Sequence, residues 1–436
     1  MAQFRTRVPA SDLGTRRMPA GSPTPDIDLA ALVESRSIAE IFQGLLTEAN
    51  GVSPPTIESC TRRDTKCRPH EGLVAAYELA CRSGGGESFT TFGVLELLEE
   101  EITYRLLNED AELHLRQALS PVLMGSRLAE LADADCEPGR LPIAKIIPVR
   151  YKPRRSCVLK YELRGPRTSR SFYVKVLASP QASLGDLYRR LHDDSHGGTG
   201  ILRVLQPEAY LPDLGILVFP ALEDSAELHE RLFSREEGAD PQYLSESLGS
   251  ALAGFHTVVT APGHTRPFES ELSSLRRQAE LFEYFAPHLF DSFQQTVEEL
   301  SGFGSSHGEP AVVASHGAFR TDQVLVAGDE LIGLDLEGFC WANRARDIGN
   351  LLAYLDWRSI RRPEQVPLIT DVIQAFAGGY EKVAPIDRQW TAAFRAASRL
   401  KIAARRLQSL TFAEWPLLPR LLKTSLTPEW PHPTSV

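Results

Sequence analysis

Between Lys145 and Leu222 five short runs, KIIPVRYKP, SCVLKYEL, RSFYVKVLA, ILRVLQPEAYLP and LGILVFPAL, carry β-branched and aromatic residues and are set apart by Pro, Gly, Ser and Arg. Runs of this length and composition are strands, and five in close succession predict an antiparallel sheet. One helical stretch, LGDLYRRLHDD, interrupts them after the third. Beyond Ala221 the apolar spacing turns helical, in SESLGSALAGFHTVV, SSLRRQAELFEYFAPHLFDSFQQTVEEL, ARDIGNLLAYLDWRSI, PLITDVIQAFAGGYEKV and RQWTAAFRAASRLKIAARRLQSL. The fold class is therefore α+β, a sheet lobe with one inserted helix followed by a larger helical lobe. The cleft between two such lobes is a common place for a ligand.

The rest of the chain divides by composition. Residues 1–26 are rich in Pro, Ser, Gly and Arg with few large apolar side chains, which predicts a disordered tail. Over residues 27–140 apolar residues recur at helical spacing, in Ile38-Ile41-Leu45, Leu73-Ala76-Leu79 and Val94-Leu97-Leu98-Ile102-Leu106-Leu107, so a helical N-terminal region is expected. The sheet lobe then spans 141–221 and the helical lobe 222–436.

A formal net charge of −10, with Lys and Arg spread along the chain, argues against nucleic acid or an anionic membrane as partner, since either needs a concentrated basic face. No run of eighteen or more apolar residues occurs, and the N-terminus has no apolar core of a secretory signal, so the chain is expected to be cytoplasmic. Its six cysteines include no C-x-x-C pair, which points to buried reduced thiols rather than a zinc site.

The chemistry is concentrated in AVVASHGAFRTDQVLVAGDELIGLDLEG, residues 311–338. Two apolar runs, QVLVA and ELIGLDL, flank Gly328-Asp329 as a β-hairpin does. Asp335, between Leu334 and Leu336, is a partly buried carboxylate that calls for a cation or metal ion. A capping or paired Asp would give the same pattern.

This stretch resembles the catalytic segment of the aminoglycoside phosphotransferase and choline kinase group, protein-kinase-like kinases of small molecules. Their motif H-G-D-x-x-x-x-N is followed by a hairpin, then I-D-x-E/D and D-x-x. His316 and Gly317 match it, Asp335 matches the second metal ligand, and Asp347 matches the Asp that opens the next helix. Ala318 stands in the place of the catalytic Asp and Gln323 in the place of the metal-binding Asn, so the motif reads HGA instead of HGD. The helix ending ALAGFH, with His256, is similar to the family's LAxLH helix. The resemblance covers about residues 141–410.

It implies a two-lobe protein-kinase-like fold, ATP and Mg²⁺ as cofactors, and transfer of the γ-phosphate to a small-molecule or peptide hydroxyl. Gln323 and Asp335 would hold the metal. Lys175 would contact the α- and β-phosphates, or else be an outward-facing strand lysine. A carboxylate partner for Lys175 is sought on the inserted helix, with Asp186 the best placed. The turn RYKPRRSC has no Gly-rich pattern; its Lys152, Arg154 and Arg155 either cover phosphates by charge or form a solvated basic turn. LVFPAL, with Phe219 and Ala221, matches the hinge whose backbone binds adenine.

Ala318 removes the base, a group generally worth about 10²–10⁴ in rate. Asp322 in the same loop, Glu337 two residues past Asp335, or an acceptor already deprotonated are the possible replacements beside His316. Arg320 either meets phosphate or pairs with a structural carboxylate such as Asp347. Arg395, Arg399, Arg405 and Arg406 either line an anionic acceptor pocket or form a solvated face. Two functions follow: a phosphotransferase with an altered loop, or an inactive pseudokinase that binds a nucleotide, or a protein partner through the N-terminal region.

Overall fold

The computed structural model describes residues 6–9, 29–34, 37–50, 53–98, 101–129, 143–164, 169–179, 182–198, 200–234, 240–423 and 426. The chain divides into two compact units. One comprises Met1–Gly185, Pro207–Ala221 and Gln408–Phe412; the other comprises Asp186–Gln206, Leu222–Leu407 and Ala413–Val436.

The first unit holds two antiparallel five-stranded sheets. The first is built from β1 (Thr6–Pro9), with α1 (Leu29–Glu34) and α2 (Ser37–Asn50) following it, then β2 (Thr56–Arg68), β3 (Gly72–Arg82), β4 (Ser88–Leu98) and β5 (Glu101–Leu106). Its order is β1-β5-β4-β3-β2, and α3 (Leu115–Ala118) and α4 (Pro121–Ala129) come after it. The helical expectation for 27–140 is thus corrected. Only Ile38-Ile41-Leu45 lies on a helix, α2, whereas Leu73-Ala76-Leu79 lies on β3 and Val94 to Leu106 on β4 and β5. The predicted tail falls outside the described residues except at Thr6–Pro9, which pair with β5.

The cause of the misreading is burial on both faces. Ala76, Phe92 and Val94 join one core with Tyr151, Tyr161 and Phe172 of the second sheet. On the opposite face Phe42 of α2 meets Tyr77 at 5.7 Å and Tyr104 at 6.0 Å. A Cβ on Gly93 would lie 2.4 Å from the Phe42 ring, so that ring needs the glycine. A strand covered on both sides loses its polar alternation and reads as a continuous apolar run.

The second sheet begins with β6 (Ile143–Lys152), β7 (Ser156–Arg164) and β8 (Ser169–Leu177). Next come α5 (Leu184–His196), which belongs to the second unit from Asp186 on, and β9 (Arg203–Val204) of that unit, then β10 (Ala209–Leu211) and β11 (Ile216–Pro220). Its order, β10-β11-β8-β7-β6, is antiparallel throughout, as the five runs predict. The fourth run divides: its ILRV end supplies β9, which pairs in parallel with a strand of the second unit.

The second unit continues with β12 (Ser225–Glu227), α6 (Leu228–Phe233), α7 (Pro241–Val258), α8 (Phe268–Phe285) and α9 (Phe290–Ser306). β13 (Val313–Ser315), β14 (Val324–Ala327), β15 (Glu330–Gly333) and β16 (Cys340–Ala342) follow, then α10 (Ala345–Arg361), α11 (Val366–Glu381), α12 (Arg388–Gln408) and α13 (Leu418–Leu422). The long stretch read as one helix is split into α8 and α9 at Pro287, which cannot continue a helical hydrogen-bond ladder. Asp240 starts α7 by accepting the Gln242 and Tyr243 amides ahead of Pro241. The core of this unit is aromatic: Phe282 stacks on Phe293 at 4.2 Å, and Phe268 meets Trp390 and Phe394 edge-on. Among the described residues no helix is long and apolar enough to cross a membrane.

Candidate functional site

The loop after β13 is fixed by its backbone. Asp347, fully buried in the first turn of α10, accepts the His316 amide at 2.7 Å on Oδ2 and the Gly317 amide at 2.9 Å on Oδ1. His256 Nε2 reaches the same carboxylate at 3.2 Å, while its Nδ1 meets the Tyr380 hydroxyl at 2.8 Å. Burial alone would raise the Asp347 pKa, but the His256 hydrogen bond and the His256, His316 and Arg346 charges outweigh it and hold the carboxyl below its ordinary value. Gly317 has φ +86° and passes so close to the Gly338 carbonyl that a Cβ would sit 2.1 Å from it. Only glycine fits there.

Two further side chains hold the loop from beneath. Asn350, one turn after Asp347, donates to the Phe319 carbonyl at 2.9 Å, and Arg346 Nε donates to the Gly317 carbonyl at 3.2 Å. Arg346 is anchored in turn by Glu271, a buried carboxylate that also pairs with Lys401 and, at 3.7 Å, with Arg266. None of these bonds touches the side chain at 318.

The loop is tied to the β14–β15 hairpin at one residue. His316 is fully buried and donates Nε2–H to the Leu334 carbonyl at 2.7 Å; the Leu334 amide donates to the Gln323 carbonyl at 2.8 Å. Asp335 follows directly, half-buried and left-handed at φ 61° and ψ 42°, a conformation that costs a non-glycine residue about 1–2 kcal/mol. Gln323 is buried and its Oε1 has no hydrogen-bond partner among the described residues. An orphaned buried oxygen on the segment tied to Asp335 fits a hard cation. Among the described residues no three His, Cys, Asp or Glu side chains gather as a metal site. Two protein oxygens suit Mg²⁺, which completes its shell with water and phosphate oxygens.

Ala318 is exposed, and both carboxylates proposed to replace its base have partners. Asp322 pairs with Arg320 at 3.2 Å, and the Arg320 guanidinium lies over the Tyr354 ring at 4.7 Å. Arg320 therefore takes its near neighbour as partner and not Asp347, whose oxygens are filled by the loop. Glu337 accepts a hydrogen bond from the Tyr188 hydroxyl of α5 at 3.0 Å. Burial, with Glu337 next, holds the Tyr188 hydroxyl well above its ordinary pKa, so it stays a donor.

His229 of α6 has no signal in the sequence, yet it meets the loop. Arg358 donates to its Nε2 at 2.7 Å, which leaves the proton on Nδ1 to be given to Thr321 Oγ1, also at 2.7 Å. Burial and the Arg358 charge push the imidazole pKa down to about 4. An unfolded imidazole titrates near ~6.5, so between these values the unfolded chain binds the extra proton and stability rises with pH. Acidification from pH 6.5 to 4 is expected to remove about 1–2 kcal/mol through this residue, after allowance for its partial exposure. Urea midpoints across that range would measure it, and an equal slope in His229→Gln would rule it out.

The nucleotide residues proposed from sequence lie in the first unit. Phe172, Val174 and Val176 of β8 point into the shared core, which puts Lys175 on the other face, half-buried, paired in register with Leu217 and Val158. Asp186, offered as its partner, is paired with Arg189 at 2.8 Å. In the run read as a hinge, Phe219 is half-buried opposite Tyr173, and the Ala221 amide already donates to the Ser171 carbonyl at 3.0 Å. Arg155 is exposed in the β6–β7 turn, whereas Arg154 donates to Glu96 at 2.9 Å. On α12, Arg395 is bound by Asp356 and Arg406 by Glu414, and Arg399 caps the carbonyls of Arg420, Leu421 and Lys423. These three are structural side chains.

No curated protein matches the chain. Among solved structures it is similar to an amicoumacin kinase in complex with AMP-PNP, Ca²⁺ and Ami, at 16% identity over 65% of this chain and 90% of that one, TM-score 0.48. It is similar to a choline/ethanolamine kinase family protein from Mesorhizobium loti at 13% identity, over 71% and 94%, TM-score 0.44. A glucosamine kinase in complex with glucosamine, ADP and inorganic phosphate is 14% identical over 88% and 97%, TM-score 0.43. The profile of the phosphotransferase enzyme family matches residues 167–386, half of the 436-residue chain, a span that takes in Lys175, the loop, the hairpin and Asp347. The chain therefore belongs to the phosphotransferase enzyme family.

Proposed function

We propose that the chain transfers the γ-phosphate of ATP to a small-molecule or peptide hydroxyl, through a catalytic loop that has lost its general base but keeps its backbone shape and its metal donors. The observation that supports this most is Gln323 Oε1, buried and without a partner among the described residues, on the segment bonded to Leu334. A buried amide oxygen left unsatisfied costs about 1–3 kcal/mol, and a metal ion held jointly with Asp335 would offset that cost.

Each residue then has a part. Gln323 Oε1 and the Asp335 carboxylate would hold Mg²⁺; Asp347, Asn350 and Arg346 keep the loop in shape; His316 fixes Leu334 and so the start of the Asp335 turn. Lys175 is the candidate cation for the α- and β-phosphates. When bound, the metal offsets phosphate charge in a loose transition state, where positioning and neutralisation do most of the work. Arg320 pairs with Asp322 and Tyr188 donates to Glu337, so on this reading neither carboxylate replaces the missing base. Transfer is then slow for an ordinary hydroxyl and favours an acceptor whose oxygen is already ionised.

The same two engaged carboxylates favour a second reading, a pseudokinase that binds nucleotide and works by shape or through a protein partner. Calorimetric titration with ATP, with and without Mg²⁺, tests the site without a guess at the acceptor. Metal-dependent binding is expected in the wild type. It should weaken more than about 100-fold in Asp335→Ala and about 10-fold in Lys175→Ala, the scale of a lost metal donor and of one charge-assisted contact. Equal affinity in all three proteins would sink the assignment of Asp335 and Lys175.

A further inference from the structure

The turn between β6 and β7, where a nucleotide-covering loop is expected, is gripped by the sheet that precedes it. Asp110, buried just past β5, accepts the Arg154 amide at 3.0 Å and the Tyr151 hydroxyl at 2.6 Å on Oδ2, and the Glu112 amide at 3.0 Å on Oδ1. Glu96 of β4, with 8% of its side chain exposed, accepts Arg105 at 2.7 Å on Oε1 and Arg154 at 2.9 Å on Oε2. Arg105 also donates to the Tyr151 hydroxyl at 3.1 Å and lies 3.6 Å from Asp110. Two arginines and two carboxylates close a neutral set.

The set is lopsided. Arg105 is 14% exposed and touches both acids, whereas the Arg154 side chain is 44% exposed and, among the described residues, pairs with Glu96 alone. If Arg154 left, Glu96 would keep Arg105, so no buried carboxylate would be stranded. The Arg154 backbone has no such freedom: it is left-handed at φ 58°, and Asp110 holds its amide. A glycine-rich turn moves as a whole; this one has a backbone held by Asp110 and, in Arg154, an exposed cation held by Glu96.

We propose that the N-terminal sheet sets the nucleotide-covering turn: Asp110 fixes its backbone, and Glu96 is a positioning residue that holds Arg154 until ATP phosphate oxygens take the guanidinium in its place. This rests on the phosphotransferase reading above and assigns a role to residues the family profile does not cover. A phosphate carries more charge than a carboxylate and offers the same bidentate geometry to arginine, so the exchange favours the nucleotide.

The test is ATP titration of the full chain with Mg²⁺. Arg154→Ala, at an exposed side chain, should fold normally and bind ATP about 10–100-fold more weakly, the size of one charge-assisted hydrogen bond. Glu96→Gln should bind ATP about 3–10-fold more tightly, because it removes the competing anion, and should have no effect on affinity once Arg154 is alanine. A merely structural Glu96 would lower stability without tightening binding in this Arg154-dependent way. Binding that needs Asp335 but is indifferent to Arg154 and Glu96 overturns this proposal alone. Absence of any nucleotide binding by the wild type overturns it together with the reading on which it rests.

Discussion

Ala318→Asp is expected to raise ADP production from ATP and Mg²⁺ by about 10²–10⁴, the usual contribution of a general base. Loop shape does not depend on residue 318, because Asp347 holds the amides of His316 and Gly317 while Arg346 and Asn350 hold the carbonyls of Gly317 and Phe319. The Ala318 side chain is exposed, so a carboxylate can be added without repacking, at a cost in stability of no more than about 0.5 kcal/mol. Ala318→Asn is the control, close in shape but unable to take a proton, and should stay at the wild-type rate. If nucleotide binding is intact and the aspartate variant is no faster, the missing base is not the only lesion. The next side chain to test is then Lys175.

Asp347→Ala is expected to cost about 3–5 kcal/mol in unfolding free energy and to release the loop. The carboxylate is fully buried and receives two loop amides and His256, so its removal strands three donors, each at roughly 1–3 kcal/mol before relaxation. Chemical denaturation would read the stability, and nucleotide titration the loss of the site. A loss below about 1 kcal/mol would mean that the loop is held by Arg346 and Asn350 instead. The pH signature also separates Asp347 from His229. The Asp347 pKa is depressed on folding, so its contribution is present above the unfolded carboxylate value of about 3.9 and is lost as pH falls through the lower folded one. The His229 loss comes earlier, between pH 6.5 and about 4.

The second sheet, the hairpin and the Asp-headed helix were legible because each is a local pattern. Strand runs bounded by Gly and Pro, a Gly-Asp turn between two apolar runs, and an Asp in the first turn of α10 are each written within a few residues. The motif likewise placed His316, Gly317, Gln323, Asp335 and Asp347 in one stretch of chain, and the structure bonds four of them to one another or to Leu334. Asn350 was within reach of the same logic, since it lies one helical turn beyond Asp347.

The first sheet was misread for a physical reason. β3 carries Leu73, Ala75, Tyr77, Leu79 and Cys81 buried at period two, but Ala76 is buried too because the other face is also covered, and the combined pattern satisfies a helix as well as a strand. What covers each face is decided by α2 and by the second sheet, which stand far away in sequence. The same holds for the charges: whether Glu337 is free to act depends on Tyr188, 149 residues earlier, and whether Arg154 points at a ligand depends on Glu96, 58 residues earlier. By itself the sequence determined which backbone each segment prefers and which residue types the catalytic loop retains. Only the tertiary structure decided which ionisable groups are already spent on one another, because a hydrogen bond between distant segments leaves no periodicity in the chain that makes it.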